Sequence, residues 1–169
     1  MKAIFLCVSL AAAAHSADMV SVDLTGRIRG NLQLMETVSG EIPFLPEAYA
    51  GTHAGEPVIP RYPVSIRIPS GTEASDVTCD IIWENAGHNV YIPPLPEPTP
   101  LSLVETAEVT QPDPSVYEID AWWPEEPVQL TGTGWKRGTP SAEILVAPFR
   151  WNPSTGELQR ISSIQVSVH

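Results

Sequence analysis

The run Gly132-Thr133-Gly134-Trp135-Lys136-Arg137-Gly138 continues through Ile144-Leu145-Val146-Ala147-Pro148-Phe149-Arg150-Trp151 to Asn152-Pro153-Ser154-Thr155-Gly156-Glu157-Leu158. Its reading decides the fold. Ile144 to Trp151 is rich in β-formers and Leu158 to Val168 resumes an alternating pattern, so the segment reads as strand, tight turn, strand. Pro153 fixes φ at the first corner of the turn, and Gly156 supplies the positive φ that reverses the chain. In the last strand Ile164, Val166 and Val168 lie on one face and Ser163, Gln165 and Ser167 on the other, which predicts one buried and one wet side. The rest of the chain is expected to pack against this hairpin.

Working upstream, the text is β-like almost throughout, and no window carries an apolar stripe of helical period. Val20, Val22 and Leu24 alternate with polar residues, and after Gly26 a second segment places Leu32 and Leu34 on one face, which predicts a hairpin or meander. Residues 39–60 hold seven glycines and prolines from Gly40 to Pro60 and predict a long surface loop or extended edge segment. Val64, Ile66 and Ile68 define the next strand. Asp76 to Glu84 follows, with Val77, Cys79, Ile81 and Trp83 inward, and Asn85 to Asn89 is read as a turn into a strand Val90-Tyr91-Ile92. Residues 93–114 carry prolines at nearly every second position early on and end with Pro112 and Pro114; this favours polyproline II and predicts a stiff crossover between two sheets, with a recognition segment for an aromatic groove as the other reading. Val116 to Ala121, Trp122-Trp123 and Val128-Gln129-Leu130 complete the chain. The expectation is an all-β fold, an antiparallel β-sandwich of about eight strands with a long Pro-rich crossover.

The chain has 169 residues, room for one domain of ordinary size. Lys2, the apolar run Ala3 to Ala14 and the small residues Ala14 and Ser16 have the layout of a secretory signal peptide over residues 1–17, followed by a single body over 18–169. The apolar run is shorter than the roughly 20 residues that a spanning helix needs. The body is therefore expected to be exported, to the periplasm or beyond the cell, with no membrane attachment after cleavage. Cys7 leaves with the signal, so Cys79 remains without a disulfide partner and, in phase with Val77 and Ile81, reads as a core thiol. The formal charge of −11 excludes a nucleic-acid binder and keeps the chain soluble.

Reactive constellations are scarce. His53, His88 and His169 lie in turns, loops or at the last residue, so neither a zinc set nor a nucleophile with its base can be assembled from sequence. Asp113, Glu118 and Asp120 show no calcium-ligand register and read as a solvated acidic edge. Glu125-Glu126 beside Trp122-Trp123 has the composition of a sugar platform, yet consecutive residues on a strand point to opposite faces, which leaves one tryptophan for burial. The reading assigns no catalytic, cofactor-binding or metal-ligating residue.

Two blocks carry a resemblance. Gly55-Glu56-Pro57-Val58-Ile59-Pro60-Arg61-Tyr62-Pro63-Val64-Ser65-Ile66-Arg67-Ile68-Pro69-Ser70-Gly71 resembles the entry into a strand ending "I-P-x-G" in the N-terminal propeptide of gingipain-type cysteine peptidases (peptidase family C25). Trp135-Lys136-Arg137-Gly138, leading to Ala147 through Leu158, is similar to that family's "R-G … N-P-x-T-G-x-L" ending, and the proline tract lies between the blocks where family members carry a connector. The resemblance covers Gly55 to about Val168. It implies a β-sandwich that precedes a catalytic domain, assists its folding, holds it latent and is removed by proteolysis. The implied partner is a C25-type catalytic domain, in cis or in trans, whose dyad would lie outside this chain. A latency module for a peptidase with a basic-residue pocket needs an accessible Arg or Lys. The candidate contacts are Lys136 and Arg137, in a glycine-flanked turn, and Arg61, in the breaker-rich loop; Arg67 and Arg150, inside predicted strands, are less available. The alternative is an immunoglobulin-like or carbohydrate-binding adhesion module at the cell surface that uses Trp122, Trp123 and Tyr117.

Overall fold

The computed structural model describes residues 20–29, 32–37, 40–49, 53–98 and 110–169. The expected signal peptide and much of the proline connector therefore lie outside the described residues. Among the described residues, nine strands and two short helices are formed: β1 (Val20–Asp23), α1 (Thr25–Arg29), β2 (Gln33–Thr37), β3 (Gly40–Phe44), β4 (Tyr62–Arg67), β5 (Val77–Gly87), α2 (Pro114–Tyr117), β6 (Val128–Lys136), β7 (Thr139–Val146), β8 (Phe149–Asn152) and β9 (Glu157–Val168). All strand pairs are antiparallel.

β9 is the hub of the larger sheet. One edge of β9 pairs with β5 over most of its length; the other pairs with β1 at its end and with β8 at its start. The gap between β1 and β8 is closed by single bonds. Leu24 N donates to Ile164 O, Ile164 N donates to Thr25 Oγ1, and Ile161 N donates to Pro148 O. No stretch of β9 backbone is thus left without partners where it crosses the core. Of the two sheets of the sandwich the smaller has the order β4-β7-β6, and β2 with β3 forms a separate two-stranded sheet. Val64 and Ile66 of β4, Ile144 and Val146 of β7 and Val128 of β6 meet Ile161, Ile164, Val166 and Val168 of β9 in one buried cluster. Two antiparallel sheets with a shared apolar layer make the β-sandwich that the alternation predicts.

A second cluster lies at one end of the sandwich, built from Ile59, Val90, Ile92, Ala147, Phe149, Trp151 and Leu158. Trp151 is its keystone. Its Nε1 donates to Val90 O at 2.9 Å, its backbone exchanges two 2.8 Å bonds with Trp123, and its ring takes Tyr117 edge-on at 5.3 Å. Burying an indole with its one donor satisfied is the favourable way to use a tryptophan.

Several expectations need correcting. Ile144 to Trp151 is not one strand: it breaks at Ala147-Pro148, leaving β7 in the smaller sheet and β8 in the larger. Pro148 has no N–H to give, so the ladder stops and the chain changes sheets there. Residues 39–60 are not simply a surface loop, since β3 pairs with β2 and Leu45, Pro57 and Ile59 are buried. The segment after Gly26 pairs with β3 instead of returning against β1, because α1 intervenes. Val90 to Ile92 is not a strand; β5 runs on to Gly87, and Val90 N donates to Gly156 O. Val116 falls in α2, whose Asp113 side chain accepts from Ser115 N with Pro114 in the first turn, an ordinary helix start. The proline connector does join β5 of one sheet to β6 of the other, as expected of a crossover.

Candidate functional site

The β6–β7 hairpin closes Lys136 against Thr139, leaving Arg137 and Gly138 as a two-residue loop. Their φ values are +53° and +78°, the signature of the tight hairpin turn whose twist matches the strands. An arginine in the left-handed region is uncommon and is held here by the pairing on either side. The tip carries Trp135, Lys136 and Arg137, all exposed, and Trp135 shows 74% of its surface to solvent. Two cations and a bare indole thus stand together on a chain whose net charge is −11.

The tip has polar support beneath it. Lys136 Nζ donates to Ser65 Oγ at 3.0 Å, Ser65 Oγ donates to Glu143 Oε2 at 2.6 Å, and Ser141 Oγ donates to Glu143 Oε1 at 2.9 Å. This network ties the lysine ammonium across β7 to β4. Arg137 has open space around the adjoining Gly138. The two neighbours therefore differ: the lysine is engaged with the sheet and the arginine is presented. Beside the indole, a shallow hollow of about 200 Å³ runs between Trp135, Gly134 and Pro140 on the hairpin and Gly71 and Thr72 opposite.

Arg61 is placed otherwise. It is 7% exposed, and its Nη1 donates to Gln129 Oε1 at 3.1 Å while its backbone exchanges bonds with Tyr49. Burial lowers its pKa, with Glu56 opposing that shift. The accessible loop arginine that the breakers suggest is in fact a brace, its backbone holding Tyr49 and its side chain reaching β6. Arg67 is exposed at the end of β4. Arg150 is stacked between two indoles, 4.6 Å from Trp83 and 4.5 Å from Trp122, with its Nε on Gln159 Oε1 at 2.8 Å. Such a sandwich is a structural use of the cation.

The aromatic residues of the adhesion alternative are distributed among other tasks. Trp122 gives a face to Arg150, Trp123 packs on the second cluster, and Tyr117 Oη donates to Ile92 O at 2.9 Å. Desolvation, with Tyr91 nearby, pushes the Tyr117 phenol up. No flat platform is formed from these three. The acids of the expected edge are likewise occupied separately: Asp113 caps α2, and Asp120 accepts from Asn152 Nδ2 at 2.9 Å. His53 pairs with Glu56 at 3.2 Å and His169 Nε2 meets Thr78 Oγ1 at 3.1 Å, so the histidines are not brought together. Cys79 is half-buried beside the main core, and desolvation, helped by Asp80, raises its pKa. Sequence reading missed Trp135 as part of the tip; its place directly before Lys136-Arg137, between Gly134 and Gly138, was the available signal.

Neither a family model nor a curated protein sequence matches the chain. Solved structures do. A chain of the complex of Porphyromonas gingivalis RgpB pro- and mature domains superposes with a TM-score of 0.68 at 18% identity, over 92% of this chain and 82% of that one. The structure on zymogenic latency of gingipain K from Porphyromonas gingivalis gives a TM-score of 0.49 at 18% identity, over 81% of this chain and 79% of that one. The β-sandwich described above is thus a fold already seen in the RgpB complex.

Proposed function

We propose that this chain is a non-catalytic, propeptide-like domain of a secreted gingipain-type cysteine peptidase, which assists folding of the catalytic domain, holds it latent and is removed by proteolysis. The observation that carries this reading is the superposition on a chain of the RgpB pro- and mature-domain complex over 92% of this chain and 82% of that one. A chain covered to 82% by this one is of similar size, which suits a prodomain better than a prodomain joined to its enzyme. The two sequence blocks that resemble the family's propeptide support the same reading, and they fall on β4 and on the β6–β9 region that builds both clusters.

The contact with the peptidase is assigned to the β6–β7 tip. Arg137 is the presented cation, Lys136 adds charge while anchored to Ser65, and Trp135 offers apolar area. An arginine entering an acid-based pocket gains charge-assisted hydrogen bonds where water is excluded. Arg61 acts at a distance, by joining the backbone of Tyr49 to Gln129 of β6.

Titration of the purified chain against a gingipain-type peptidase with a fluorogenic Arg or Lys substrate tests this. Inhibition by the parent that weakens at least about ten-fold with Arg137→Ala, the loss of one buried charged anchor, is the expected outcome. Arg61→Ala is expected to lower thermal stability first. Equal inhibition by parent and Arg137→Ala removes the tip from the mechanism, and no inhibition by the parent removes the latency role.

A further inference from the structure

Among the described residues β5 pairs only with β9 and β6 only with β7, so one free edge of each sheet lies on the same side of the sandwich. Where their first halves approach, they bound a cleft of about 600 Å³. Its floor is apolar, formed by Val77 and Cys79 of β5 and Val128 and Leu130 of β6, all packed on or within the main core. Its rim carries Asp76 and Glu126, and among the described residues no Lys or Arg lines it. Two bases beside the lining have other partners: Arg61, which is buried, donates to Gln129 Oε1, and His169 bonds Thr78.

Open sheet edges invite pairing, and bulges are one means of blocking it. The β5–β9 ladder is irregular between Ile82 and Trp83, where β9 carries the extra residue, and between Asn85 and Gly87, where β5 does, both beyond the cleft, while Val77 to Ile81 keeps regular register. On β6 the irregularity lies between Leu130 and Gly132, at the end of the cleft. Along the cleft β5 is therefore regular, and β6 is regular from Val128 to Leu130 and interrupted at Thr131, where the cleft ends.

We propose that this side cleft docks an extended segment of another polypeptide in which apolar residues alternate with Lys or Arg. Strand addition supplies main-chain hydrogen bonds to the free edge, and the two-residue period sends apolar side chains to the floor and basic ones to the rim. Asp76 and Glu126 select the sign of the occupant, and the overall negative charge speeds its approach. Val128 to Leu130 sets the length, since three residues in regular register at about 3.3 Å each span roughly 10 Å. This surface is distinct from the β6–β7 tip and does not depend on the reading given for that tip.

The probe is an eight-residue peptide of alternating Val and Lys, labelled for fluorescence anisotropy and titrated with the full chain at physiological salt. It is expected to bind at least about ten-fold more tightly than its Val/Glu counterpart. Replacing every second residue by Pro, which removes ladder donors, should abolish binding. The pair Asp76→Lys with Glu126→Lys should invert the preference, whereas Glu73→Lys with Glu118→Lys, exposed acids of equal charge outside the cleft, should leave it in place. Equal binding of the Val/Lys and Val/Glu peptides, survival of the Pro-substituted peptide, or equal effects of the two double variants would each overturn the proposal. Sedimentation showing a dimer that the Val/Lys peptide does not dissociate would assign the cleft to a second copy of this chain and overturn it as well.

Discussion

Two tight turns close two hairpins in this molecule, and they use similar residues for opposite ends. Both place a glycine at positive φ, Gly138 at +78° in the β6–β7 hairpin and Gly156 at +67° in the β8–β9 hairpin. Around Gly156 the turn is packed in. Asn152 is buried, its Oδ1 accepts from Ser154 N and Thr155 N, and a Cβ added at Gly156 would meet Asn89 Cα at 3.0 Å. Around Gly138 a Cβ would meet nothing within 4 Å. Local turn chemistry therefore determines that the chain reverses, and the surroundings determine whether the reversal is a joint of the core or a projection into solvent. The mutational consequences should separate along that line.

The largest effect is expected beside the packed turn. Trp151→Ala removes the keystone of the second cluster and should cost about 4 kcal/mol, read by chemical denaturation, while Trp151→Phe, which loses chiefly the bond to Val90 O, should cost far less. Next comes Gly156→Ala, where backbone strain and contact with Asn89 add to about 2 kcal/mol; Gly156→Asn should rescue little, because the obstruction is steric. At the open turn, Gly138→Ala should cost about 1 kcal/mol and Gly138→Asn almost nothing, since only the left-handed φ is at issue. If the two glycines responded alike to asparagine, the distinction between joint and projection would fail.

A pH experiment sharpens the same contrast. The Glu84 carboxylate accepts from Arg160 Nε of β9 at 2.7 Å and faces Arg29 at 3.5 Å. The hydrogen bond from Arg160 is the main cause holding its pKa below the ordinary 4.5, with desolvation opposing. A lowered carboxyl pKa stabilises the fold above the ordinary value and loses that contribution as the pH falls through the folded-state value. Acid should therefore loosen β9 near Arg160, seen as faster amide exchange there, and Glu84→Gln should remove the pH dependence. The smallest effect belongs to the tip itself. Arg137→Ala should change stability by less than about 0.5 kcal/mol, as for other surface substitutions, while affecting inhibition most strongly among the tip residues.

What could be read from sequence was what has a period. Val64, Ile66 and Ile68, the inward residues of β5 and the alternation of Ile164, Val166 and Val168 are visible because burial on one face of a strand repeats every second residue. The tip turn was visible because glycine at a hairpin corner is a chemical requirement. The two helices were not, being five and four residues long, although Asp113-Pro114 carried a cap and first-turn signal for α2. The break at Pro148 was hidden by the β-forming residues on either side of it. Arg61 was misplaced for another reason. Its partner Gln129 lies 68 residues away, and burial of a charged residue by a distant strand leaves no local trace. The exposure of Trp135 is likewise set by what fails to cover it.

The place of β9 in the chain has a consequence for how the molecule comes to exist. Every strand that pairs with β9 is synthesised before it, and its partner β1 lies some 140 residues earlier. The larger sheet has no central member until the last of its strands is available, so its cooperative closure must wait for that moment and then draw on contacts between remote parts of the chain. The larger sheet stays open until β9 is made, and it closes in one step once that strand arrives.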